Sequence, residues 1–302
     1  MSLAELPEHP FAAPRTLDEL TELLAGRAAA GEETVLLAGG TDWIVERHLA
    51  PPAPGRPRAL VADVSRLAEL RGVDLRGDTL DLGAAATFLE IARNPVVEHR
   101  VPLLRAAFRD VGAVQIQARG TLGGNLATAS PAGDGVAALA ALDTTILLAS
   151  VRGTRRVPLA GFYTGYKRSV RAADEVIARI EIVLPPRGAR WSWRKVGTRQ
   201  AQSISKVAFA AVAVMDGAGR EARIARIGLG MASVAPTVTL LPAVRALALS
   251  RPPASIPASE IDAAVDADIS PIDDIRSTAA YRRHVAKALV RNFLLTGSDL
   301  SI

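Results

Sequence analysis

The chain has no cysteine among its 302 residues. That excludes disulfides, thiolate-bound zinc, a cysteine nucleophile and a cysteinyl cofactor link. It also excludes an iron–sulfur cluster of the ordinary kind, which needs thiolate ligands. Histidine is scarce: His9, His48, His99 and His284 are scattered with no pair at i, i+4, so no metal site is assigned. Aromatic residues are 4% of the chain, and no set of base-stacking platforms is evident. No run approaches the ~18 uninterrupted apolar residues of a membrane span. The opening stretch MSLAELPEHPFAAP has neither a basic n-region nor an apolar h-region. No secretory signal is therefore expected, and the protein is expected in the cytoplasm.

What is present suits a soluble globular protein: 49% hydrophobic and 22% charged residues. At ~150 residues per domain the length suggests about two domains. The net charge of +5 is almost all arginine, since Lys167, Lys195, Lys206 and Lys287 are the only lysines. The arginines are spread along the whole chain with no basic arm. This reads as a solvated surface, compatible with an anionic ligand but without a nucleic-acid footprint.

Periodicity and punctuation outline the elements. Thr16 to Glu19 is a capping box ahead of Leu17, Leu20, Leu23 and Leu24, an amphipathic helix ending near Gly26 or Gly31. Thr34–Ala38 reads as a short buried strand stopped by Gly39 and Gly40. Residues 51–57 are a Pro/Gly loop, and 58–62 a second strand. Strands at 71–75 and 79–84 flank a Gly77–Asp78 turn. Thr87 to Glu90 is another capping box, whose helix stops at Asn94–Pro95. A helix over 102–110 ends at Gly112. Glycines punctuate 120–135, with a short apolar helix after them to about Leu142. Strands at 144–151 and 155–159 flank Arg152–Gly153. Beyond a linker at 185–188 come strands near 191–196, 207–215 and 221–230, then helices near 241–249, 259–266 and 278–295. Along the last helix Tyr281, Val285, Ala288, Leu289 and Phe293 form the expected core stripe. Strands followed by helices indicate an α+β unit, with the main boundary near 185.

Two glycine-rich segments can carry chemistry. In the first, a strand runs into Gly39, Gly40, Thr41 and Asp42. Glycine permits positive φ and close approach, and successive amides in such a turn can cradle phosphate oxygens. An ordinary turn has the same composition. The second, RGTLGGNLATASPAGD at 119–134, offers many amides, with Thr121, Asn125, Thr128 and Ser130 as further hydrogen-bonding groups. Ser130–Pro131 resembles an N-cap with proline at the first helical position; a long turn-rich loop is the alternative. Neither segment is the dinucleotide fingerprint or a Gly-Lys-Ser/Thr phosphate loop. Gly228-Leu229-Gly230 reads as structural.

Together these segments resemble the flavin-binding subunit of molybdenum hydroxylases, the xanthine dehydrogenase and carbon monoxide dehydrogenase family, nearly end to end. The resemblance rests on LLAGGTDW at 36–43, RGTLGGNLATASPAGD at 119–134, GYKRSVRAADEVIARIEI at 165–182, RKVGTRQAQSISKVAFAA at 194–211 and PIDDIRSTAAYRRHVAKALVRNFL at 271–294. It implies an α+β fold: a PCMH/VAO-like FAD-binding domain over 1–184, in two α+β subdomains (about 1–60 and 61–184), and a C-terminal α+β domain over 185–302. It implies non-covalent FAD, with Leu37, Ala38, Gly39, Gly40, Thr41 and Asp42 wrapping the pyrophosphate. Thr121, Gly123 and Gly124 would approach it from the other side, with Asn125 bracing that loop. Asp134 would meet the FAD ribose, Val111 and Ile177 the flavin or adenine, and Lys195 the isoalloxazine, where a cation stabilises negative charge on the reduced ring.

The resemblance also implies partners. A large subunit holds the molybdenum cofactor and hydroxylates the substrate. A small subunit carries the [2Fe–2S] clusters, which a chain without cysteine cannot hold. This chain would relay their electrons through FAD to an acceptor such as NAD, in a dimer of heterotrimers. Two other classes stay open: a self-sufficient flavin oxidase of the vanillyl-alcohol oxidase class, and a basic adaptor for nucleic acid.

Overall fold

A computed structural model describes residues 9–49 and 58–296; the loop expected at 51–57 lies outside them. The first unit is a parallel sheet in the order β1-β3-β2, from β1 (Phe11–Ala12), β2 (Thr34–Leu37) and β3 (Leu60–Asp63). Helix α1 (Leu17–Ala29) joins β1 to β2, and α2 (Thr41–Leu49) follows β2. The Thr16 hydroxyl caps α1 by accepting the Glu19 N–H. The Glu19 carboxylate takes the Arg15 N–H at 2.7 Å, one residue before the position a full capping box requires. The helix runs through Gly26 and ends before Gly31, whose φ of +69° suits glycine. β2 is only half-buried. Because Val61 pairs with both Phe11 and Val35, this sheet continues past the subdomain boundary expected at 60.

The second unit is an antiparallel sheet in the order β4-β5-β10-β6-β7. Its strands are β4 (Val73–Arg76), β5 (Thr79–Gly83), β6 (Asp143–Ser150), β7 (Gly153–Pro158) and β10 (Val176–Val183). A hairpin of β8 (Tyr163–Gly165) and β9 (Arg168–Ser169) projects between β7 and β10. Between β5 and β6 lie six helices: α3 (Phe88–Arg93), α4 (Pro95–Arg100), α5 (Pro102–Arg109), α6 (Val114–Gln117), α7 (Leu122–Thr128) and α8 (Asp134–Ala140). Thr87 and Glu90 form the complete capping box, and Asn94 ends α3 and caps α4. The glycine-rich stretch is not a long loop. Its first part is helical because small residues let α7 lie against Ala84, just past the end of β5: a Cβ on Gly123 would strike it. Nor does Ser130–Pro131 open a helix. The Ser130 hydroxyl instead accepts the Ala132 N–H in a turn, and α8 begins at Asp134.

The third unit is the sheet β11-β12-β13, made of β11 (Arg190–Val196), β12 (Val207–Asp216) and β13 (Arg223–Ala232). It is covered by α9 (Pro242–Ala248), α10 (Ala258–Asp268) and α11 (Ala279–Arg291). Both faces of this sheet are buried, which explains the uninterrupted apolar run of β12. Val207, Phe209, Ala211 and Ala213 face the helices of their own unit. Ala208, Ala210 and Val212 turn the other way, into the core that contains α5 and α8. Gly228 and Gly230 lie against α8, where added Cβ atoms would strike the carbonyls of Ala141 and Ala137. The short side chains thus let a sheet and a helix from different units share one core.

The stripe of α11 differs from the expected one. Arg282, Ala286, Leu289, Val290 and Phe293 are buried, while Tyr281 and Ala288 are exposed. The face is turned because buried Arg282 is captured: its guanidinium donates to the carbonyls of Lys206 and Ser233 and to Asp274, at 2.7–2.9 Å.

Gly230→Val is expected to lower the unfolding free energy by about 2 kcal/mol through overpacking against α8. Gly161→Ala, with open space around the new carbon, should stay within about 0.5 kcal/mol of the parent. Urea titration of the two variants checks this.

Candidate functional site

A groove of about 400 Å³ separates the loop after β2 from α7, within the range of small-ligand sites. Its first wall is the turn from Leu37 to Asp42 and the start of α2. Gly40 has φ +73°, open to glycine and unfavourable for a β-branched side chain. Gly39 lies so close to the Arg119 carbonyl that a Cβ there would overlap it. Among the described residues, the backbone N–H groups of Gly39, Gly40, Thr41 and Asp42 donate to no acceptor. They sit at and just before the start of nine-residue α2, where the helix dipole also favours negative charge.

The second wall differs in kind. The N–H groups of Leu122 and Gly123 donate to the carbonyls of Ala86 and Ala84, at 3.2 and 2.8 Å. The Gly124 N–H goes to the Thr121 hydroxyl and the Asn125 N–H to the Thr121 carbonyl. The amides from Leu122 to Asn125 are therefore engaged within the fold. What it presents is side chains: Thr121, and Asn125, whose Oδ1 is buried without a hydrogen-bond partner. The Thr128 hydroxyl reaches Asp42 across the groove at 2.8 Å, and Lys167 at the β8–β9 tip reaches Glu46 of α2 at 2.7 Å.

Leu37, Ala38, Gly39, Gly40, Thr41, Asp42, Val111, Thr121, Gly124 and Asn125 thus line one groove. The other four anticipated residues do not. Gly123 is buried against Ala84, and Ile177 lies in the core of the second unit. Asp134 and Lys195 meet at the seam with the third unit. Lys195 Nζ donates to an Asp134 carboxylate oxygen at 2.6 Å and to the Asp110 carbonyl at 2.8 Å, and the Ser205 hydroxyl donates to the other Asp134 oxygen. Burial pushes the Asp134 carboxyl above the usual carboxylate range, against the pull of Lys195 and Ser205. Trp43, Glu46 and Lys167 also line the groove and were not singled out. For the first two the signal was available: they sit in the first turns of a helix opening straight from the glycine turn. Lys167, far along the chain, had none.

Residues 7–185 match the family described as the FAD binding domain in molybdopterin dehydrogenase, and residues 192–296 the CO dehydrogenase flavoprotein C-terminal domain. The chain belongs to the FAD-binding molybdopterin dehydrogenase family. It is 34% identical to the nicotinate dehydrogenase FAD-subunit of Eubacterium barkeri over 71% of each chain. It is 28% identical to the carbon monoxide dehydrogenase medium chain of Hydrogenophaga pseudoflava, over 95% of this chain and 96% of that one. A solved carbon monoxide dehydrogenase from Hydrogenophaga pseudoflava superposes with a TM-score of 0.84 at 27% identity, covering 95% of this chain and 96% of that one. Quinoline 2-oxidoreductase from Pseudomonas putida 86 shares the fold, with a TM-score of 0.82 at 24% identity over 97% of each chain. Relatives in this family are subunits of dehydrogenases. Among the described residues no helix is long and apolar enough to cross a membrane, and no His/Cys/Asp/Glu group could hold a metal ion.

The seam carries a pH-dependent test. Lys195→Met leaves a buried carboxyl without its cation, which is expected to cost about 3–5 kcal/mol at neutral pH. Without Lys195 the Asp134 carboxyl lies further above its unfolded value, about 3.9. A raised folded pKa gives stability that is present in acid and lost as pH rises through that pKa. The variant's deficit should therefore be smaller at pH 5 than at pH 8 in urea titrations; an equal deficit at both would place its origin in packing.

Proposed function

We propose that this chain is the flavin relay of a molybdenum hydroxylase complex, taking electrons from [2Fe–2S] clusters on a small subunit and passing them through non-covalent FAD to an acceptor such as NAD. The molybdenum cofactor and the hydroxylation site belong to a large partner subunit, in a cytoplasmic dimer of heterotrimers. The observation that carries the reading is the set of undonated amides from Gly39 to Asp42, facing the Thr121 hydroxyl across the groove. This donor set fits a diphosphate, and Gly39 and Gly40 leave room for close approach.

Bound FAD supplies the redox chemistry. The side chains bind and orient it. In this reading the amides of Gly39, Gly40, Thr41 and Asp42 hold the phosphate oxygens, and the Thr121 hydroxyl donates from the facing wall. Asn125 fixes the near side of α7, while Phe88, Val111 and Ile116 give the groove an apolar flank that excludes water. Lys195 and Ile177 stand outside the groove: Lys195 acts on the flavin site through the Asp110 carbonyl beside Val111, Ile177 lies in the core of the second unit, and Asp134 fixes the lysine's position. Asp134, which does not line the groove, takes this role in place of the expected ribose contact.

The purified chain, or the chain incubated with FAD, should show a flavin spectrum and release FAD on acid precipitation. Flavin that stays with the denatured protein would favour the oxidase class. Gly40→Val, which forces a β-branched residue to positive φ, should reduce FAD binding at least a hundredfold while Gly161→Ala leaves it intact. Co-expression with two partner subunits, followed by substrate addition, should bleach the flavin. A flavoprotein that recruits neither partner would overturn the relay reading.

A further inference from the structure

A helix end normally leaves carbonyls for water. The last residue of α5 and the turn that follows it do not. Four successive carbonyls there are each taken by a donor from elsewhere. Gln117, itself buried, donates its side-chain amide to the Arg109 carbonyl at 2.8 Å and to the Val111 carbonyl at 3.0 Å. Lys195 Nζ donates to the Asp110 carbonyl, and the Gln202 N–H to the Gly112 carbonyl at 3.3 Å. The Asp110 side chain is held as well: the indole Nε1 of Trp193, a residue only 8% exposed, donates to its carboxylate at 2.8 Å. Three of these donors, Trp193, Lys195 and Gln202, belong to the third unit. The turn they grip ends in Gly112, with φ +53°, and carries one groove residue, Val111.

We propose that Trp193 is a positioning residue for the flavin: through Asp110 it sets the Arg109–Gly112 turn and hence the Val111 side of the groove. The inference rests on the FAD reading above. The third unit thereby reaches the cofactor site through a hydrogen bond to a neighbouring turn. A carboxylate accepting an indole N–H makes a directional, charge-assisted bond, so the turn is fixed in orientation as well as in distance. The same geometry makes this edge of the groove depend on the seam between units, because β11 supplies both Trp193 and Lys195.

The test uses the full chain and FAD itself, in wild type, Trp193→Phe, Asp110→Leu and the double variant. Each is read by the FAD dissociation constant and by the visible circular dichroism of the bound flavin. Trp193→Phe should weaken binding about tenfold, as expected for loss of a hydrogen bond to a charged group, and should alter the flavin dichroism. Asp110→Leu should do the same, and the double variant should bind no more weakly than the weaker single one, because both act through one bond. Wild-type affinity and dichroism in Trp193→Phe, or losses that multiply in the double variant, would overturn the proposal. If Trp193→Phe does not fold, Gln117→Met reads the same turn from its other side, and an unchanged dissociation constant and dichroism there would overturn it as well. Failure of the wild-type chain to bind FAD would instead sink the parent reading.

Discussion

The groove depends on a close approach between two backbones. Gly39, at the end of the parallel sheet, lies against the carbonyl of Arg119, at the entry to α7. Any side chain at 39 would push the two walls apart. Because that position is glycine, the amides of one unit and the Thr121 and Asn125 side chains of another face a common groove. The remaining links depend on this spacing: the Asp42–Thr128 bond and the Glu46–Lys167 pair each span it. Behind them α1 holds the two sheets at a set distance, with Leu20 and Leu24 packed among Ala62, Val64, Ala149 and Val176 in one core. Burial of that apolar surface supplies cohesion without direction; the glycine contact supplies the register.

The third unit repeats the device on a larger scale. One face of its sheet is built of Ala208, Ala210, Gly228 and Gly230, and the missing side-chain volume is occupied by α8. Such a seam tolerates little movement, since closely packed interiors transmit strain. It also shelters the Asp134–Lys195 pair. A buried pair of this kind is weak evidence of stability, because desolvating both charges offsets much of their attraction. Its better-supported effect is orientational: Asp134 at the start of α8 and Lys195 on β11 can satisfy each other only when the two units sit in this one arrangement. The Lys195 bond to the Asp110 carbonyl then ties that arrangement to the wall of the groove.

Much of this was legible in the residues, for reasons that can be named. Thr87 to Glu90 announced α3 because a capping box satisfies two otherwise unpaired N–H groups with local chemistry alone. The hairpins at Gly77–Asp78 and Arg152–Gly153 were legible for the same reason. The strand read at 58–62 is β3, but that it belongs with the first sheet, across the boundary drawn at about 60, was not legible, since Val61 pairs with strands 26 and 50 residues earlier. The stripe of α11 was misjudged by one position: periodicity counts Arg282 as polar and therefore outward, whereas three tertiary acceptors draw it in. At the site, Gly39, Gly40 and Gly124 line the groove while Gly123 packs against Ala84, and spacing could not show which amides were already spent. Nor could it place Lys167, brought to the groove by a distant hairpin.

The two glycine-rich segments illustrate why composition underdetermines role. Both have small residues after a β-strand or helix, and both supply hydroxyls. In the first, glycine serves backbone access: Gly39 admits a neighbouring carbonyl, Gly40 adopts positive φ, and the N–H groups that follow are left free. In the second, Gly123 serves packing, letting α7 lie on Ala84, and the N–H groups are used in doing so. A ligand entering between them meets an unsatisfied, electropositive backbone on one side and a braced wall on the other. In the proposed reading the free donors set where an anion binds. The engaged ones keep the opposite wall from moving to meet it, so the groove is shaped before any ligand arrives, and less ordering free energy is lost on binding.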